Sequence, residues 1–372
     1  MHDLGGDDHS HNLEVTDALY ELDNVTLTTI GVDVGSSTFH LMFSRVHLCR
    51  EAANLSSKYE VVEREMLWQS GIGLTPYKNK RIDAAAIEKF VVDCHTQAGL
   101  TPGDVDSGAV ILTGEALRQH NARGLADAIA AGSGKFVCVS AGHHLESMLA
   151  AYGSGATDYS KETGARLLHI DMGGGTTKLS LIEGGEARAT AALMIGGRQV
   201  AWNADREIIS NSAGARTIAN AAGIDITVGR VFPPEDEQRF VDTQAEVIFG
   251  VAEGRRGGLE GKLRLTRVLP KLFEYDEVSF SGGVSEYIYG RETGSYGDLG
   301  ASLGKAIRAG IDSKRIAIPV ADPGEGIRAT VVGASQCSVQ LSGNTVTVSN
   351  PEILPIHNVP VIHPELDRKS VV

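Results

Sequence analysis

Short apolar runs broken by glycine turns alternate along this chain, and two of these units share one layout. In His169-Ile170-Asp171-Met172-Gly173-Gly174-Gly175-Thr176-Thr177-Lys178-Leu179-Ser180-Leu181, an apolar run ends at an acid and breaks on three glycines. It then resumes as alternating apolar and polar residues, which predicts a β-hairpin with an aspartate at the end of its first strand. Residues 27–43 repeat the plan, with Val32-Asp33-Val34-Gly35-Ser36-Ser37-Thr38 set against Ile170-Asp171-Met172-Gly173-Gly174-Gly175-Thr176. Asp33 and Asp171 lie 138 residues apart, which suits two copies of one domain plan rather than a solenoid.

Helical spacing of Ala84, Ile87, Phe90, Val91 and Cys94 predicts a helix over 83–98, with Gly99 as C-cap and Pro102 past its stop. Strands are expected at 110–113 and 136–139, with a helix through 126–131 between them. Residues 140–155 read as a small-residue helix with a glycine-rich exit, placed where an interdomain connector belongs. Small residues let helices approach closely, and glycines absorb hinge rotation. A helix over 236–252 opens on acidic residues, and a strand at 278–281 enters the Gly282-Gly283 turn. A helix over 298–307 follows, then a strand from Ala329 passing into a small-residue segment as second connector, then short strands near 345–348. The expected division is a polar tail over 1–26, domains over 27–140 and 141–332, and a segment over 333–372 packing back on the first domain.

Composition narrows the function. A chain of 372 residues is too long for one ordinary core. With 42% hydrophobic and 22% charged residues it has a soluble globular balance, and its net charge of −13 argues against binding nucleic acid or acidic membrane surfaces. No apolar run approaches the roughly 18 residues of a membrane helix, and no basic-then-apolar leader opens the chain. Cys49, Cys94, Cys138 and Cys337 are scattered without Cys-x-x-Cys spacing, so neither a zinc site nor a disulfide framework is expected and a reducing cytoplasm is. The histidines of the tail (His2, His9, His11) read as solvated.

Candidate chemistry gathers at the turns. Glycines let backbone N–H groups converge on an anion. An aspartate beside a phosphate turn needs an intervening cation, most simply hydrated Mg²⁺. Gly134-Lys135 is not a P-loop, because the earlier glycine is missing and Phe136 replaces the hydroxyl residue. Asp93-Cys94-His95 resembles a cobalamin-ligating motif but has one residue too many before Gly99, and a helix end accounts for it. His143, His144, Arg198 and the basic run Arg255, Arg256, Lys262, Arg264, Arg267 each read as surface or packing groups, with ligand contact as the alternative.

Three glycine turns in this order, with small-residue connectors between, resemble the actin, hexokinase and heat-shock chaperone ATPase superfamily. That resemblance implies two related α/β domains of ribonuclease H-like plan with Mg-ATP in the cleft between them. Asp106 to Glu115, Asn121-Ala122-Arg123, Ser140 to Ser147, Trp68-Gln69-Ser70, Asp298-Leu299-Gly300 and Arg328 to Ala334 look like the ethanolamine ammonia-lyase reactivating factor family. The likeness runs from about Thr29 to Pro360, and the family usually continues well past that point, so the chain is expected to stop short of it. It implies a chaperone-like ATPase that uses ATP and Mg²⁺ to release damaged adenosylcobalamin from the lyase. A cytoplasmic location, association with a bacterial microcompartment and a homodimer are the matching expectations. On this reading Gly35, Ser36, Ser37 and Gly173, Gly174, Gly175 cradle phosphates, and Thr38, Thr176 and Thr177 donate hydroxyl hydrogen bonds. Asp33 and Asp171 hold Mg²⁺, Gly282 and Gly283 face the nucleoside, and Glu115 and Glu146 are candidate acids near the γ-phosphate. A small-molecule kinase and a nucleotide-gated assembly protein share the same cleft and stay open.

Overall fold

The computed structural model describes residues 24–35, 38–50, 59–78, 81–112, 129, 137–140, 142–270, 274–315 and 318–337. Ser36, Ser37, Glu115, the helix expected over 126–131 apart from Ile129, and the segment beyond Cys337 lie outside them.

Two sheets have the same strand order. In the first, β1 (Asn24–Val34), β2 (Thr38–Arg50) and β3 (Tyr59–Gln69) form an antiparallel meander. On the other side of β1, β4 (Ser107–Leu112) and β5 (Val137–Ser140) run parallel to it. In the second, β6 (Leu167–Met172), β7 (Thr177–Glu183) and β8 (Glu186–Leu193) form the meander, with β9 (Glu277–Ser281) and β10 (Val320–Ala321) parallel beyond β6. Parallel pairing needs a crossover, and in the second sheet helices supply it, Ala213–Ala222 and Pro234–Ala252 before β9 and Gly300–Asp312 before β10. The first sheet buries Ile30, Val32 and Val34 against Ile87, Val91 and Cys94 of the helix Ala84–Ala98. Asp83 caps that helix by accepting the Ala86 N–H, and Gly99 ends it at φ +70°. The second sheet packs on the helices Ala213–Ala222, Pro234–Ala252 and Gly300–Asp312 through Ile170, Met172, Phe240, Ile248 and Leu303. The strand begins at Asn24, so Asn24–Thr26 belong to it rather than to the expected tail. Asn24 and Thr26 both bond the His47 ring across the β1–β2 pair.

The strands of the two hairpins pair in the same register. Asp33 pairs with His40 and Val34 with Phe39, as Asp171 pairs with Lys178 and Met172 with Thr177. Each turn closes in the same way: Gly35 N–H donates to Thr38 O at 2.8 Å, and Gly173 N–H to Thr176 O at 3.0 Å.

The helices His143–Gly153 and Ala329–Cys337 cross one another between the sheets. The first lies on β6, β7 and β8, and Ser180 Oγ on β7 donates to its Ser147 carbonyl at 3.1 Å. The second lies on β1, β2 and β4, and a Cβ at Gly31 would fall 2.4 Å from its Val331 carbonyl. Ala329–Val332 was expected as a strand because of its β-branched run Thr330-Val331-Val332. Wedged between a sheet face and a helix it has no strand edge to pair with, so its backbone groups bond within a helix instead. That helix also runs through the expected domain boundary at 332/333.

Glycine permits this crossing. A Cβ at Gly153 would sit 1.9 Å from Ala329 O and 2.3 Å from Gly333 N, both backbone atoms that cannot swing aside. Ala for Gly inside a helix ordinarily stabilises by roughly 1 kcal/mol. Gly153→Ala should instead destabilise by about 1–3 kcal/mol through overpacking. Urea denaturation reads the sign, and a stabilised variant would contradict the close crossing.

Candidate functional site

Three consecutive carbonyls of the second turn are tied down from behind. Gly173 O accepts the Gly197 N–H at 3.0 Å, Gly174 O the Arg198 N–H at 2.7 Å, and Gly175 O the Gln199 side-chain amide at 2.9 Å. In a trans peptide the N–H points opposite to the preceding C=O. The N–H groups of Gly174, Gly175 and Thr176 therefore face the other way together, as an anion-binding concavity requires. Gly196 makes the close backing possible, since a Cβ there would lie 2.4 Å from Gly174 O. The double-glycine turn abuts the base of this hairpin. Gly282, at φ +81°, would put a Cβ 2.5 Å from Met172 O, and Val284 N–H donates to that carbonyl at 3.2 Å. In the first turn, Gly35 O is held by Thr75 Oγ1 at 2.7 Å.

Below the turns lies a buried charge cluster. Lys178 stands across the β6–β7 pair from Asp171, its ammonium 3.7 Å from Asp171 Oδ2, and it also hydrogen-bonds Glu146 from the first crossing helix. All three side chains are about 95% buried. Asp33 enters the same field from the first hairpin. Burial alone would strip the proton from Lys178, but Glu146, Asp171 and Asp33 together hold it on and raise its pKa. Three acids outnumber one ammonium. Burial, reinforced by Glu146 and Asp171 against the opposing pull of Lys178, pushes Asp33 up to about 8.

Two carboxylate oxygens have no hydrogen-bond partner among the described residues, Asp33 Oδ1 and Glu146 Oε2, although both are closed off from solvent. His143 Nδ1 lies 3.9 Å from Glu146 Oε2, beyond hydrogen-bond reach. Orphaned hard oxygen donors with an excess of negative charge fit a divalent cation such as Mg²⁺. Among the described residues no three donors converge to chelate an ion directly. An ion held here would keep its waters and lean on ligand phosphates, which is the usual habit of Mg²⁺.

Residues 25–372 match the family model described as ethanolamine utilisation protein EutA. The chain belongs to the EutA family. It is 32% identical over 350 residues to the ethanolamine ammonia-lyase reactivase EutA of Salmonella typhimurium, and 33% identical over 353 residues to that of Escherichia coli. Each match covers 93% of this chain and 74% of the relative. Among solved structures, the Aquifex aeolicus PPX-GPPA enzyme is 15% identical at a TM-score of 0.43, covering 83% of this chain and 89% of that one. So distant a likeness carries no argument.

This EutA-family chain brings together Asp33, Asp171, Glu146 and the turn Gly173–Gly175, with Gly282 against the hairpin base. Gly283 follows in the same turn, where among the described residues the Ile327 side chain alone lies near its Cβ position. Thr38 and Thr176 close their turns through their carbonyls. The donor role expected of Thr177 is corrected: its buried hydroxyl gives its one proton to Ile195 O at 3.0 Å, so none is left for a phosphate. Arg198 is matched by Asp298 at 3.0 Å, and Arg255 by Glu246, Glu253 and Glu260, which absorbs these cations into the fold. His144 Nδ1 bonds Thr190 Oγ1 at 2.6 Å, and His95 packs its ring against Phe43 at the helix end.

Sequence reasoning missed Lys178, His169 and Ser281. The signal for Lys178 was a lysine near the start of the strand Thr177–Glu183, at the position cross-strand from Asp171. Its counterpart in the first hairpin is His40, where burial and then Arg328 hold the imidazole neutral with a pKa near 4. The first hairpin therefore brings an acid without a cation.

The elevated Asp33 pKa sets a pH dependence. The folded protein binds a proton there between the ordinary value of 3.8 and about 8, so stability falls as pH rises across that window. In urea denaturation without Mg²⁺, Asp33→Asn should lose less stability over this range and exceed the unsubstituted protein by about pH 8. Equal slopes in the two proteins would remove the strain assigned to Asp33.

Proposed function

We propose that this chain is a chaperone-like ATPase that reactivates ethanolamine ammonia-lyase by ATP-dependent release of damaged adenosylcobalamin. The observation that carries the ATPase half is the pairing of an outward N–H cradle at Gly174–Thr176 with partnerless acidic oxygens beneath it. The client half is supported by the reactivase names of the Salmonella and Escherichia relatives.

On this reading the amides of the second turn hold the phosphates from one side, and the first turn, including Ser36 and Ser37, holds them from the other. Asp33 and Asp171 would hold Mg²⁺ through its waters, and the ion would supply charge neutralisation to the transferred phosphoryl group. Lys178 keeps Asp171 and Glu146 from repelling an incoming phosphate outright. Glu146, whose Oε2 has no hydrogen-bond partner among the described residues, orients the attacking water. Positioning and charge do most of the work in phosphoryl transfer, so no nucleophilic side chain is needed. Because the acids come from both hairpins and from a crossing helix, ATP and ADP favour different angles between the sheets. A client that binds those angles unequally is driven along with them. Among the described residues no helix is long and apolar enough to cross a membrane.

The test starts from lyase inactivated with cyanocobalamin and adds this protein, ATP, Mg²⁺ and fresh adenosylcobalamin. Deamination should return only with all four. Asp171→Asn keeps an acceptor for its hydrogen bond but loses the charge, and should lower ATP turnover about 100-fold or more, the scale of losing one contact to a charged transition state. Recovery without nucleotide, or full recovery with Asp171→Asn, would refute the reading.

A further inference from the structure

Behind Asp171 runs a chain of hydrogen bonds that the mechanism above does not use. Ser281 Oγ donates to Asp171 Oδ1 at 2.8 Å, His169 Nε2 lies 2.9 Å from that same Ser281 Oγ, and His169 Nδ1 lies 2.9 Å from Ser279 Oγ. Ser154 Oγ, at the end of the first crossing helix, lies 3.3 Å from His169 Nε2. His169, Ser279 and Ser281 are wholly buried and Ser154 is nearly so.

Proton counting orders this chain. A carboxylate has only lone pairs, so Ser281 must give its single proton to Asp171 and can only accept from His169. Ser154 gives its proton to Ala151 O at 3.2 Å, so it too faces the ring as an acceptor. Both hydroxyls at Nε2 are acceptors, so Nε2 carries the hydrogen. A neutral ring then has a bare Nδ1, and Ser279 must donate to it. From Ser279 through His169 and Ser281, every proton points toward Asp171.

We infer that His169 is a positioning residue, locked as the Nε2–H tautomer, which acts through Ser281 to fix the Asp171 carboxylate. The inference rests on the metal role proposed for Asp171. With Oδ1 held by Ser281, Oδ2 is the oxygen left to face Lys178 and a hydrated cation. Partners of this kind behind a carboxylate orient it, and their loss commonly costs about 10–100-fold in metal affinity. The bond to Ser154 ties this arrangement to the crossing helix as well, so the aim of Asp171 is referenced to both sheet and helix.

Two measurements on the full chain test this. Nitrogen-15 NMR of labelled histidine should show His169 with a protonated-type Nε2 and a bare Nδ1, whereas the opposite tautomer would overturn the inference whatever the protein's activity. In ATPase assays, His169→Leu and Ser281→Ala should each raise the Mg²⁺ concentration for half-maximal turnover by about tenfold or more. The double variant should add little beyond either, because the two residues act in one chain. His169→Gln, which restores an N–H toward Ser281, should recover most of the Mg²⁺ affinity. A folded His169→Leu protein with unchanged Mg²⁺ dependence would also overturn the inference. Absence of ATPase activity in the unsubstituted protein would instead sink the proposed function and leave the tautomer to decide this point.

Discussion

One buried imbalance of charge governs the middle of this protein: Asp33, Asp171 and Glu146 share the single ammonium of Lys178. Taking ions out of water costs several kcal/mol each, and the mutual attraction of a buried pair repays this only when the geometry is good. Lys178 offsets only part of it for Glu146, whose pKa burial still raises. Its pull on Asp33 is weaker than burial, and Asp33 Oδ1 has no partner among the described residues, so the proton there is held far above the usual carboxylate range. A fold that keeps such a group keeps it against stability. The neutral His40 facing Asp33, where the second hairpin has Lys178, shows that the imbalance lies in the first hairpin.

The surrounding architecture serves to bring those acids together. Each hairpin delivers one aspartate at the end of the central strand of its sheet, and the crossing helix delivers Glu146 from its first turn. The three could not meet if the two helices between the sheets stood at ordinary packing distance. Gly31, Gly153 and Gly333 remove the side chains that would hold them apart. The pinned carbonyls of the second turn complete the arrangement by aiming three amides outward above the acids. Charge, crossing and cradle are thus one construction, and loosening any of them moves the others.

Much of this was legible in the residues. The hairpins were, because alternation on either side of a glycine turn is a local pattern and its repetition at Asp33 and Asp171 makes it specific. The helix Ala84–Ala98 was, because Asp83 and Gly99 mark its ends chemically. Long-range context hid the rest. Lys178 looked like an outward polar residue of an alternating strand, and only the helix laid over β7 turns its position into an interior one. Thr177 looked like a ligand donor until Ile195, from a later turn, took its proton. The β-branched run after Ala329 looked like a strand because nothing local says that both of its faces are covered. His169 and Ser281 gave no signal, since they acquire a role only through the parallel pairing of strands 110 residues apart.

The central claim is that a phosphate ligand and its cation resolve the excess charge at Asp33. Calorimetry of Mg²⁺-ATP binding at pH 7, repeated in buffers of different ionisation enthalpy, counts the protons exchanged. With Asp33 near 8 in the free protein, binding should release about one proton per site and should depend on Mg²⁺. Tight nucleotide binding with no proton release, or binding indifferent to Mg²⁺, would contradict the account.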